Sequence, residues 1–104
     1  MKEAEVLKYE AFTSSPGKGN PAGVVLQGDD YTEDEMQIIA ERAGYSETSF
    51  IRKSESADLE LRYFTPGHEM NLCGHATVAS LYALCEKGML ESGKTYSIQT
   101  KAGI

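Results

Sequence analysis

Basic charge, cysteine and long apolar runs are all scarce in this sequence, and each shortage closes off a class of function. Lysine and arginine together number 10 against 16 aspartates and glutamates, a net charge of -6. Nucleic acid and anionic membrane surfaces both call for a basic face, so neither is expected as a partner. No apolar run approaches the ~20 residues of a membrane span. The N-terminal MKEAEVLKYEAF has no apolar stretch of the length a secretory signal needs. The only cysteines, Cys73 and Cys85, fall on one expected helix and its entry. At ~1.5 Å per residue they stand about 18 Å apart along its axis, too far for a disulfide. Both are therefore expected to be reduced, and the chain cytoplasmic.

Other signatures are missing as well. There is no internal repeat, low-complexity tract or linker. The loop GKGNPAG at 17–23 is not a dinucleotide fingerprint, because its third glycine falls one place late and no helix follows. It reads as a tight turn, with Asn20-Pro21 giving a defined bend. Histidine and cysteine show no paired ligand spacing, and a metal site from His68, Cys73 and His75 lacks a fourth ligand, so no metal is expected. At 104 residues the chain has enough surface to bury for one modest core.

What remains patterns into seven elements. Residues 5–12 read as a strand with an ambiguous inward face, and GVVL at 23–26 as a short buried strand ended by Gly28-Asp29-Asp30. Thr32 with Glu35 three residues on is a capping box, and Met36, Ile39, Ala40 and Ala43 form the apolar stripe of a helix that stops at Gly44. Strands follow at 48–52 and 58–65, the latter with Leu59, Leu61 and Tyr63 opposed to Glu60 and Arg62. A second helix covers 76–88 with Gly88 as its stop, and 94–100 alternates like a last strand. The order β-β-α-β-β-α-β is too rich in strands and too short in its crossovers for a doubly wound parallel sheet. From Ala76 to Cys85 the second helix has only Thr77 and Ser80 as polar breaks, which predicts burial on all sides. The expected fold is α+β: a curved, mostly antiparallel sheet rolled around that central apolar helix.

The chemistry concentrates in EMNLCGHATVAS at 69–80. A helix beginning near His75 or Ala76 directs the N–H groups of Gly74 to Thr77 outward and favours an anion there. Gly74 allows close approach to the backbone, and a carboxylate would fit. Cys73 and His75 would flank it as a potential thiolate and a group titrating near neutrality. Each also has a bland role open to it: Cys73 as a small buried hydrophobe, His75 as a helix cap. In SETSF at 46–50, Glu47 sits at a helix–strand junction, where a solvated loop glutamate is the plain alternative. A carboxylate, a histidine and an anion-binding helix end together suit acid/base chemistry beside a carboxylate.

Three blocks, GNPAGVVL at 19–26, MQIIAERAGYSETSFI at 36–51 and LRYFTPGHEMNLCGHATVA at 61–79, resemble in order and spacing the PhzF family. These are phenazine-biosynthesis-like isomerases related in fold to diaminopimelate epimerase. The resemblance implies two pseudo-symmetric domains with the active site between them. Residues 1–104 would be the N-terminal part of the first, still incomplete, and the second domain would be absent. It implies an isomerase that moves protons at carbon without a cofactor, on a small carboxylated substrate. Glu47 would be the acid/base group, with His75 and secondarily Cys73 as further catalytic candidates. Asn20, Ser46, Gly74, His75 and Ala76 would bind substrate. The alternative is a catalytically inactive module that binds a ligand or self-associates, since open strand edges and apolar surface favour a homo-oligomer.

Overall fold

Thr32 caps the first helix as the sequence predicts. Its side chain accepts from the Glu35 N–H while the Glu35 carboxylate accepts from the Thr32 N–H. The computed structural model, which describes residues 5–11, 20–71, 74–90 and 96–103, runs this helix, α1, over Glu33–Ala43. Gly44 ends it at φ 73, a left-handed conformation that costs glycine little.

Six strands make one mixed sheet: β1 (Leu7–Ala11), β2 (Asn20–Val25), β3 (Glu47–Arg52), β4 (Leu59–Phe64), β5 (Glu69–Met70) and β6 (Ile98–Gln99). Their order is β1-β2-β3-β4-β5, with β6 on the same outer edge of β4 as β5. The β1–β2, β3–β4 and β4–β5 pairs are antiparallel; β2–β3 and β4–β6 are parallel. The sheet is thus mostly antiparallel, and α1 is the crossover that parallel β2 and β3 require.

Two strand readings change. Asn20 and Pro21 do not bend the chain but open β2, opposite Ala11 and Glu10. Pairing with β3 begins only at Ala22, so the missing N–H of Pro21 breaks no ladder on that side. The ambiguous face of the first strand also has an explanation, because the sheet is covered on both sides. Val6 packs with the α1 layer and Leu7 with the other, and Val25 and Val24 divide in the same way. In β2 both Val24 and Val25 are buried, and a strand buried on both faces reads as a continuous apolar run.

The α1 layer buries Val25, Tyr31, Met36, Ala40, Phe50 and Phe64, with the Phe50 and Phe64 rings edge to face at 5.4 Å. On the opposite face lies α2 (Gly74–Glu86), packed over β1, β2 and β3. Ala76, Ala79, Ser80 and Ala83 form its inner stripe with Leu84, and these small side chains let helix and sheet approach closely. Gly88, at φ 74, follows as its stop.

The expectation that α2 is buried on all sides is corrected. Val78 (46 % exposed) and Tyr82 (61 %) recur along its outer side, and Met89 (58 %) is exposed just beyond its end. The sequence supplies a second apolar face, but the sheet stays open, and among the described residues no second layer reaches over the helix. Its architecture is α+β, with one helix on each face of the sheet.

Candidate functional site

The end of α1 and the start of β3 determine where Glu47 goes. After Gly44 the chain turns through Tyr45 and an exposed Ser46, and Glu47 opens β3 beside Ala22 of β2. Alternation along β3 then assigns sides. Phe50 packs in the α1 layer and Ile51 in the α2 layer. Glu47, four residues before Ile51, therefore shares the α2 side, as does its partner Ala22. It is half-buried.

The first turn of α2 is fastened to the same face. Ser49, fully buried and two residues beyond Glu47, donates its hydroxyl to the Ala76 carbonyl at 3.4 Å. Ser80 donates to the same carbonyl at 2.7 Å, the back-bond a helical serine makes to the residue four before it. Tyr63 is the cross-strand partner of Ser49, and its hydroxyl shares a 2.6 Å hydrogen bond with that of Thr77. Ala76 and Thr77 thus sit over the Ser49–Tyr63 pair. The amide N–H groups at this end of a helix have no carbonyl four residues back within the helix, and the helix dipole adds partial positive charge.

Of the residues singled out in the sequence, Glu47 and Ala76 are brought to one face and one region. Gly74 and His75 contribute their backbone to the same helical turn. Asn20 contributes backbone at the start of β2, two residues from Ala22, which is about 7 Å along an extended strand. Ser46 is exposed beside Glu47. Cys73 lies outside the described residues. Cys85 is a free, exposed thiol. His68, the third residue of the metal reading, is exposed in the turn after β4 with its Nδ1 at 3.2 Å from Thr65 Oγ1. Among the described residues no group of His, Cys, Asp or Glu could hold a metal ion.

One feature on the opposite, α1 face of the sheet had no signal in the sequence. Arg62 grips Glu69 with two bonds, Nε to Oε2 and a terminal nitrogen to Oε1, both 2.7 Å. The same terminal nitrogen reaches Glu33 at the start of α1, and Lys101 Nζ adds a 3.0 Å contact to Glu69. The Arg62 and Glu69 side chains are only 12 % and 13 % exposed. Burial by itself would raise the Glu69 carboxyl, but the bonds and charges of Arg62 and Lys101 outweigh it and hold the group below its ordinary range. Glu69, more than any other group, keeps the guanidinium firmly protonated. Alternation in the sequence places Arg62 only on the strand face opposite Leu61 and Tyr63. Glu33 and Lys101, the outer members of the cluster, lie far along the chain, so only the fold reveals it.

Comparison with known proteins gives a consistent picture. The profile of the PhzC-PhzF family, described as phenazine biosynthesis-like protein, matches residues 9–104. An uncharacterized isomerase of Escherichia coli, YddE, is 50 % identical over 78 residues, covering 75 % of this chain and 26 % of its own length. An uncharacterized isomerase of Clostridium acetobutylicum is 41 % identical over 106 residues, covering 100 % of this chain and 35 % of its own. Among solved structures, a phenazine biosynthesis protein of the PhzF family from Bacillus anthracis superposes with a TM-score of 0.94 at 57 % identity. That match covers 99 % of this chain and 34 % of the other. The chain spans about a third or less of the length of these relatives.

Proposed function

The chain belongs to the PhzF family, and from that premise we propose that it forms the N-terminal part of an isomerase that relocates a proton on a small carboxylated substrate. Glu47 is the acid/base group in this reading. The observation that carries it is the placement of Glu47 on the α2 side of the sheet, two residues from the Ser49 contact that holds Ala76. The carboxylate of the substrate binds at the amide N–H groups of the first turn of α2, Gly74 to Thr77, in reach of a dipole that favours an anion. Glu47 then takes a proton from a neighbouring carbon as the C–H bond breaks. The electron pair delocalises toward an adjacent unsaturated group, and the proton returns to the same or a conjugated carbon. The balance closes without an oxidant, reductant or cofactor.

His75 and Cys73 are proposed as supporting groups, the first to hydrogen-bond the substrate and the second to act as an opposed proton donor. Asn20 and Ser46 complete the binding set. In the full fold a further part of the sheet rolls over the outer side of α2, covering Val78, Tyr82 and Met89. The test is solvent-deuterium incorporation into amino acids and unsaturated carboxylic acids, run on this chain and on a chain completed to the length of its relatives. Exchange that disappears in Glu47→Gln supports the reading; exchange that persists refutes it.

A second reading rests on the same exposed apolar side of α2. A chain that presents Val78, Tyr82 and Met89 to water favours pairing with a second copy, which gives a catalytically silent homo-oligomer. Native mass separates the two readings: a monomer argues against self-association, a stable dimer for it.

A further inference from the structure

The strand β5 has two residues and two ladder pairs, Tyr63 with Met70 and Phe64 with Glu69. So short a strand specifies its register weakly, yet it is the last described element before the Cys-Gly-His entry to α2. Glu69 shares a face with its partner Phe64, and Arg62 lies two residues from Phe64 on that same face. Arg62 and Glu69 are therefore diagonal neighbours, a spacing that long side chains can bridge. Met70 faces the other way and packs against the α2 layer.

A slip of one residue would turn Glu69 into the apolar layer of Val24, Leu61 and Ala79 and expel Met70. It would also displace the following chain by about 3.3 Å, more than a hydrogen bond tolerates. A buried ion pair is seldom the most stabilising choice at such a place; fixing register is its best-attested use.

We infer that Arg62 is a positioning residue for the candidate site: by gripping Glu69 it fixes the register of β5, and with it where the chain delivers the first turn of α2. The inference rests on the reading that this turn carries the site. Glu33 and Lys101 extend the grip, tying β5 to the start of α1 and to the segment after β6. The thread through α1 is reinforced by Gln37, whose side-chain amide donates to the Thr65 carbonyl at 2.9 Å in the turn that leads into β5. Thr65 and Glu69 are thereby held on the α1 side before the entry, and Ala76 and Thr77 by Ser49 and Tyr63 after it.

The test reads position rather than turnover, so its failure is distinct from a failure of Glu47 chemistry. In a Cys85→Ser background, the rate of Cys73 alkylation by iodoacetamide is measured well below the melting range. The His75 titration is followed by NMR, with His68→Gln to assign the two histidine signals. Arg62→Lys keeps the charge but loses the two-pronged bond. We expect it to change the alkylation rate by about threefold or more and to shift the His75 midpoint. Glu33→Gln, which weakens only the outer contact with α1 and leaves the Arg62–Glu69 bonds in place, should change both by less than Arg62→Lys does. Glu69→Gln decides the matter if Arg62→Lys does not fold. Wild-type alkylation and titration in these variants, with only a lower thermal midpoint, would reduce Arg62 to a structural ion pair and overturn the inference.

Discussion

Removing the Tyr63 hydroxyl tests how firmly the first turn of α2 is held to the sheet. Tyr63 is fully buried, and its hydroxyl meets Thr77 Oγ1 at 2.6 Å, a short bond between two neutral groups. Tyr63→Phe keeps the ring and its packing and deletes one member of the pair. Thr77 is half-buried, so water can reach what is left behind. The expected loss is then the net worth of one hydrogen bond, about 1 kcal/mol, rather than the larger penalty of a stranded buried group. For a domain near this size that lowers the thermal midpoint by about 4–8 °C. A double-mutant cycle with Thr77→Val isolates the pair, and urea unfolding of the four proteins should return a coupling of about 1 kcal/mol. Ser80→Ala is the contrast: its bond stays within one helix and alanine is the better helix former, so it should be neutral within about 0.5 kcal/mol. Additive effects of Tyr63→Phe and Thr77→Val, within about 0.3 kcal/mol, would refute the claim that this bond anchors the helix.

Two further tests address the surroundings of the site. The Glu69 carboxyl is held below its ordinary value of 4.5 in the folded chain, so its ion pair adds stability above that pH and loses it as pH falls through the lowered value. The difference in melting temperature between the wild type and Glu69→Gln should therefore be full at pH 6 to 7 and shrink progressively below about pH 4.5. Gly23→Ala places a methyl group 2.8 Å from Val6 Cγ1 and 2.9 Å from Tyr45 Cδ2. Urea unfolding should show a cost of about 1–3 kcal/mol for the overpacking beside the β2–β3 pair.

What the sequence made legible was local or periodic. The Thr32–Glu35 box spans one helical turn, Leu59, Leu61 and Tyr63 keep a strict period of two, and Ala76, Ala79, Ala83 and Leu84 keep a helical one. Each signal survives because the neighbours that use it lie within a few residues. The short β5 carries no period at all and exists through its pairing with β4 and the Arg62–Glu69 bond. Arg62 pairs with Glu33 and Glu69, and Glu69 in turn with Lys101, a set that no window along the chain brings together. Asn20-Pro21 looked like a bend because proline and asparagine favour turns, whereas pairing with β1 extends the strand through both. The apolar sequence of α2 predicts burial on all sides, whereas the open sheet covers only one side and leaves Val78 and Tyr82 exposed. Glu47 stood out through the family resemblance more than through its own surroundings in the sequence; its place on the α2 face follows from strand alternation and the pairing of Glu47 with Ala22.

The most direct measurement of the central claim is hydrogen exchange at carbon. Small carboxylic acids are incubated in D2O with the wild-type protein and with Glu47→Gln, in this chain and in one completed to the length of its relatives, and deuterium uptake is read by NMR. If Glu47 moves the proton, uptake on a substrate drops by about a hundredfold or more in the variant while its fold persists. Uptake at the wild-type rate in Glu47→Gln would contradict the account and transfer the chemistry to another group.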